Sequence, residues 1–163
     1  MYTVAVLVER TLEALDADQL ISLHEGLDEP VLYHLLRPVE SSAPLLVSSL
    51  GGLGAEAVSV PSDPDTVERV QDALDDDARE SLDASVALLR ERGQEARGDL
   101  TVADPVEALT GIVKETRAAE AIILTEPHFV KEFFGLDWSA RAKRALDVPT
   151  LHLIEHVPFD GQA

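Results

Sequence analysis

Residues 88–124 read LLRERGQEARGDLTVADPVEALTGIVKETRAAEAIIL, and the order of signals in that stretch decides the fold. It opens on the end of a helix whose apolar residues Val67, Val70, Leu74, Ala78, Leu82, Val86 and Leu89 step by three and four along one stripe. The spacing predicts a helix over residues 65–92, stopped by Gly93. Residues 94–102 follow as a strand. ADPVEAL then marks a helix start: Asp104 stands as N-cap, Pro105 takes the first helical position, and Glu107 is placed to reach back in a capping box. That helix runs to about Arg117, and AIIL, residues 121–124, forms the next strand.

Working outward, the same alternation continues. TVAVLV, residues 3–8, is nearly all β-branched and apolar, and suits a strand covered on both faces of a parallel sheet. Leu12, Leu15, Leu20, Leu23 and Leu27 then space like a helix, and PVLYHLLRP, residues 30–38, reads as a strand closed by proline. Residues 39–64 carry SSAP, GGLG and PSDP, hold neither period, and form a long surface excursion. A fifth strand covers residues 148–155. Strands alternating with helices predict one α/β domain over residues 1–163, a Rossmann-like parallel sheet with right-handed crossovers and helices on both faces.

Composition narrows the partners. With 31 acidic and 13 basic residues the formal charge is −18, so the average field repels nucleic acid and anionic membranes alike. Cysteine is absent, which removes disulfides, thiolate chemistry and Cys-ligated metals. The N-terminal apolar run meets charge at Glu9 with no basic region before it, and no stretch approaches the roughly 18 apolar residues of a membrane span. A cytoplasmic protein is expected.

Between the fourth and fifth strands lies TEPHFVKEFFGLDWSARAKRAL, residues 125–146, with one glycine, three of the four phenylalanines and the only tryptophan. The second half of the chain resembles the universal stress protein family in its order of helix, exposed strand, Asp-Pro helix start and buried fourth strand. The likeness covers residues 81–156 and, less closely, 3–38. It implies a three-layer sandwich with sheet order 3-2-1-4-5 and a homodimer. ATP-binding members of that family carry Gly, two residues, Gly, nine residues, Gly and then Ser or Thr after the fourth strand. There, glycines let backbone N–H groups close on phosphates, and the hydroxyl residue opens a helix whose N-terminus favours anions.

In this chain the same spacing falls on Thr125, His128, Trp138 and Ser139, so all three glycine positions are replaced. Thr125 places a β-branched side chain where the backbone should approach closely, Pro127 removes a donor, and Glu126 adds repulsion. Trp138 with Phe133 and Phe134 supplies apolar surface to fill the crevice. After the first strand, Glu9, Arg10 and Thr11 stand where binders of that family have Asp, Gly and Ser or Thr; Glu9 keeps the reach to a ribose hydroxyl. The resemblance therefore implies a vestigial nucleotide site built on Glu9, Thr11, Thr125, His128, Trp138 and Ser139, of the type that does not bind ATP and needs no cofactor.

Other chemistry is weakly marked. Glu126, His128, Glu155 and His156 fall beyond the carboxyl ends of neighbouring strands, but their spacing matches no metal-ligand motif. No nucleophile, base and orienter form a recognisable set, so catalysis is not expected. GGLG, residues 51–54, lacks the Lys-Ser/Thr of a phosphate loop and reads as a turn. Two functions stand side by side: a non-enzymatic stress-response or regulatory protein acting as a homodimer through a protein partner, and an ATP-binding switch or slow ATP hydrolase with a rebuilt phosphate cradle. The fifth strand carries no charged residue from Val148 to Ile154, and at a sheet edge it would need covering. Either the C-terminal VPFDGQA folds over it through Phe159, or two copies pair there and bury Thr150, Leu151 and Leu153.

Overall fold

The structure, a computed structural model, describes residues 1–39, 64–125 and 144–158. The expected excursion, apart from its two ends, therefore lies outside the described residues. The elements in chain order are β1 (Tyr2–Val8), α1 (Ala14–Ser22), β2 (Val31–Pro38), α2 (Pro64–Glu91), β3 (Glu95–Thr101), α3 (Pro105–Thr116), β4 (Glu120–Thr125) and β5 (Thr150–Ile154). The strands form one five-stranded sheet of order β3-β2-β1-β4-β5, as expected, and every pairing is parallel.

β1 is central, paired to β2 from Tyr2 opposite Val31 and to β4 from Val4 opposite Glu120. Its near-continuous apolar sequence follows from that position, because both of its faces are covered. On one face Val4, Val6, Val8, Tyr33, Leu35, Ile122 and Leu124 meet Ala17 and Leu20 of α1 and Leu82, Val86 and Leu89 of α2. On the other, Ala5, Leu7, Leu36, Ala121 and Ile123 meet Val106, Leu109, Ile112 and Val113 of α3, together with Leu146. The period of two along the strands thus delivers alternate residues to two separate cores.

The termini of α2 and α3 obey local chemistry. Gly93 ends the turn after α2 at φ +80°, a conformation that favours glycine. Asp104 Oδ1 accepts from the amides of Val106 and Glu107, at 3.0 and 3.1 Å, and caps α3. The reciprocal bond expected from Glu107 is not made; one capped end is enough for a helix that already packs four apolar residues.

α1 departs from expectation. The leucine spacing extended to Leu27, but the helix ends at Ser22; Leu15, Leu23 and Leu27 are exposed, and the buried residues of the helix are Asp16, Ala17, Gln19 and Leu20. Two polar side chains face inward because they have partners there, described below. At the amino end of the sheet a second buried network ties α1 to β2 and β4. The Tyr33 hydroxyl donates to the Leu20 carbonyl at 3.1 Å, His24 Nδ1 lies 2.6 Å from that carbonyl, and His24 Nε2 pairs with Glu120. Burial and the Glu120 charge hold the Tyr33 hydroxyl well above its usual pKa.

Gly98 of β3 is a packing requirement. A Cβ there would stand 2.7 Å from Leu82 Cδ1 and 2.8 Å from its Cγ, and Leu82 is itself buried in the core. Gly98→Ala should lower stability by about 1–3 kcal/mol, read as a lower urea midpoint at unchanged slope. Gly111→Ala, in α3 with nothing near the new methyl, should raise it by about 0.5–1 kcal/mol. Equal effects at both positions would contradict the α2–β3 packing.

Candidate functional site

All strands being parallel, their carboxyl ends gather on one edge, and the order of the sheet reverses between β1 and β4. α/β proteins bind ligands outside the strands at such a point. Here a carboxylate stands at that edge. Glu155, the residue after β5, is 2% exposed, and its Oε1 accepts from the backbone N–H groups of Glu9 and Arg10 at 3.1 and 3.2 Å. Among the described residues its Oε2 has no hydrogen-bond partner. Burial pushes the Glu155 carboxyl pKa up; the amides of Arg10 and Glu9 and the nearby His156 pull it down, and Asp16 pushes it up again. The net direction is upward.

Next to it, the fully buried Asp16 takes three donors. Its Oδ2 accepts from the Glu13 amide at 2.9 Å, closing a capping box at the start of α1. Its Oδ1 accepts from the His156 amide at 2.6 Å, and its Oδ2 lies 2.7 Å from His156 Nδ1. His156 has φ +59°, so the chain turns sharply as it leaves β5. Gln19 Nε2 then donates to the Val157 carbonyl at 2.9 Å. Asp16 and Gln19 point inward because they hold the chain segment that follows the last strand.

The other hydroxyls at this end are engaged within the fold. Thr11 Oγ1 lies 2.5 Å from Ser81 Oγ of α2, which also accepts from Arg37 Nη1 at 2.6 Å. Ser85 Oγ accepts from the Leu12 amide at 2.9 Å. Thr125, the last residue of β4, is fully buried and its Oγ1 lies 2.7 Å from His152 Nε2 on β5.

Of the residues expected to form the vestigial site, Glu9 comes to the switch point through its backbone N–H. Thr11 bonds to α2 and Thr125 to β5. His128, Trp138 and Ser139 lie outside the described residues, as does Glu126. β5 is an edge strand, as the proposed order requires. Of its expected contact residues, Leu151 is exposed, but Leu153 is 4% exposed and packs within its own core. The Leu153 side chain is thus already covered within its own chain, which leaves Leu151 as the exposed leucine of the strand. The tail beyond β5 turns to α1 through Val157, and Phe159 lies outside the described residues. Among the described residues no three acidic or histidine side chains are placed to hold a metal ion.

Sequence reasoning weighed Glu155 and His156 only as metal ligands and passed over Asp16 and Gln19. A signal was present. In α1, Asp16 and Gln19 share a face with Ala17 and Leu20, so that face is half polar at core positions.

No protein-family model matches the chain, and no curated protein does. Solved structures do match. A universal stress protein family protein from Arabidopsis thaliana with AMP bound aligns over 99% of this chain and 98% of its own, at 13% identity and TM-score 0.54. A protein from the universal stress protein family of Burkholderia pseudomallei aligns over 93% and 94%, at 15% identity and TM-score 0.52. A universal stress protein from Archaeoglobus fulgidus aligns over 93% of both chains, at 14% identity and TM-score 0.50. At such identities the likeness is one of fold: the sheet and its helices are arranged as in universal stress protein structures.

The Glu155 geometry has a consequence for stability. A carboxyl whose pKa rises on folding above its ordinary 4.5 binds its proton more tightly in the folded chain, so its stabilising contribution is present at low pH and lost as pH rises through the raised value. Glu155→Gln, which keeps an acceptor for the two amides and removes the charge, should be more stable than the parent at about pH 7.5. The difference should shrink as pH falls toward the ordinary carboxyl range, followed by urea unfolding across pH. A variant less stable at neutral pH would show that the amide bonds outweigh burial.

Proposed function

We propose that this chain is a non-enzymatic stress-response or regulatory protein that acts as a homodimer through protein partners in the cytoplasm, its nucleotide crevice closed by its own side chains. The observation that carries the reading is the occupation of the switch point: the Glu155 carboxylate holds the amides of the β1–α1 turn, and the Thr125 side chain fills the end of β4. The sequence adds to it, since no glycine remains at the three positions that cradle phosphates in ATP-binding proteins of this fold. Among the described residues no helix is long and apolar enough to cross a membrane, and the charge of −18 opposes polyanionic partners. The AMP-bound Arabidopsis structure favours the second reading, a nucleotide switch or slow ATP hydrolase with a rebuilt cradle.

A thermal melt separates the two. ATP at millimolar concentration should leave the melting temperature unchanged. A ligand at about 100 times its dissociation constant stabilises the state it binds by about 2.7 kcal/mol, which amounts to several degrees for a chain of this length. A shift of that size would overturn the closed-crevice reading and support the switch.

The dimer has its own test. β5 lies at the sheet edge with Leu151 38% exposed and no charged residue between Thr150 and Ile154. Pairing of this strand across a two-fold axis would cover it. Sedimentation should show a homodimer that strengthens with added salt, because two chains of charge −18 repel less when screened. Leu151→Lys should give folded monomer. An unchanged dimer affinity in that variant would place the interface elsewhere.

A further inference from the structure

We propose that the backbone amides of Glu9 and Arg10 form a small-oxyanion site, which the chain fills with its own carboxylate, Glu155, as an internal surrogate ligand. The proposal deepens the closed-crevice reading and rests on it.

Two successive N–H groups converging on one oxygen make an anion-binding concavity of the kind that holds sulfate and phosphate groups elsewhere. In this chain the concavity lies at the carboxyl end of the central strand. The oxygen at 3.1 and 3.2 Å from the two nitrogens belongs to a side chain remote in sequence, separated from Glu9 by 146 positions. It is therefore not a local turn or cap. The carboxylate that fills the site does so at a cost, since it is 2% exposed and its second oxygen has no hydrogen-bond partner among the described residues. A residue serving only to satisfy two exposed-loop amides need not be charged or buried; water would serve them. An internal anion with half its valence unmet is what remains when a carboxylate stands in for a larger, multiply accepting oxyanion.

The charged groups facing Glu155 set the balance. From the turn after β1 it is the backbone amides of Glu9 and Arg10 that reach Glu155; the charged side chains acting on its carboxyl are Asp16, from the first turn of α1, and His156, from the segment after β5, which also pairs with Glu13 of the N-cap. The acids oppose a second anion while Glu155 is ionised. Protonation of Glu155 removes the nearest of these negative charges, and Glu155→Ala removes both the charge and the acceptor and so frees the amide pair.

Inorganic sulfate is the probe, chosen because its charge does not change over the pH range used. Sodium chloride at matched ionic strength subtracts general screening. Glu155→Ala should gain about 5 °C or more in melting temperature over the parent's own gain at about 50 mM sulfate, the shift for a millimolar site. Equal gains in variant and parent would overturn the proposal. If Glu155→Ala does not fold, the parent decides it. Its sulfate gain should rise between about pH 8 and about pH 5 more steeply than that of Glu155→Gln, in which residue 155 carries no ionisable carboxyl. Parallel pH profiles would overturn the proposal. ATP stabilisation of the parent would remove the closed-crevice reading and this proposal with it, whereas a sulfate-indifferent Glu155→Ala removes the proposal alone.

Discussion

The carboxylate of Asp16 is the tie on which this end of the molecule depends. A fully buried charge must find donors, and it takes them from two segments that the chain holds far apart: the Glu13 amide at the start of α1, and the amide and ring of His156 after β5. Meeting both at once fixes α1 against the end of the last strand. The residue between that strand and His156 is Glu155, so the same tie delivers its side chain to the amides of the β1–α1 turn. Gln19, one turn further along α1, continues the strap through Val157.

The arrangement gathers carboxylates where an α/β sheet ordinarily leaves room for an anion. Among the described residues, Glu9, Glu13, Asp16 and Glu155 belong to segments at the carboxyl ends of β1 and β5, and His156 pairs with Glu13 and Asp16. The field there has the sign of the whole chain, at −18. Asp16 and Glu155 share that field but differ in how well they are satisfied. Asp16 has donors on both oxygens; Glu155 has them on one, and its second oxygen is left without a partner among the described residues.

Much of the architecture was legible in the sequence because it rests on local periodicity. The short apolar runs in 3–8, 30–38 and 121–124 became β1, β2 and β4, and the stripe from Val67 to Leu89 became the long helix α2. The Asp104-Pro105 start is the N-cap of α3. α1 shows where that reading stops. Leucines at helical spacing marked a helix, yet Leu15, Leu23 and Leu27 are exposed while Asp16 and Gln19 are buried. Hydrophobic spacing reports which face is apolar; it carries nothing about a polar side chain whose partner lies elsewhere in the chain. Leu153 illustrates a related point, since an edge strand still has one face against its own core.

By itself the sequence determined the element types, their alternation and hence a parallel sheet, because strand and helix periods, caps and breakers act over a few residues. Only the tertiary structure decided what the carboxyl edge of that sheet contains. Asp16 meets His156 across 140 positions and Glu9 meets Glu155 across 146, distances over which no period or spacing rule extends. Those pairings follow from β1 being central and β5 lying two strands away, which brings the first turn and the last residue of the sheet to the same end. Polar groups of unlike origin then share one buried space, and their hydrogen-bond requirements, not their sequence context, choose the partners.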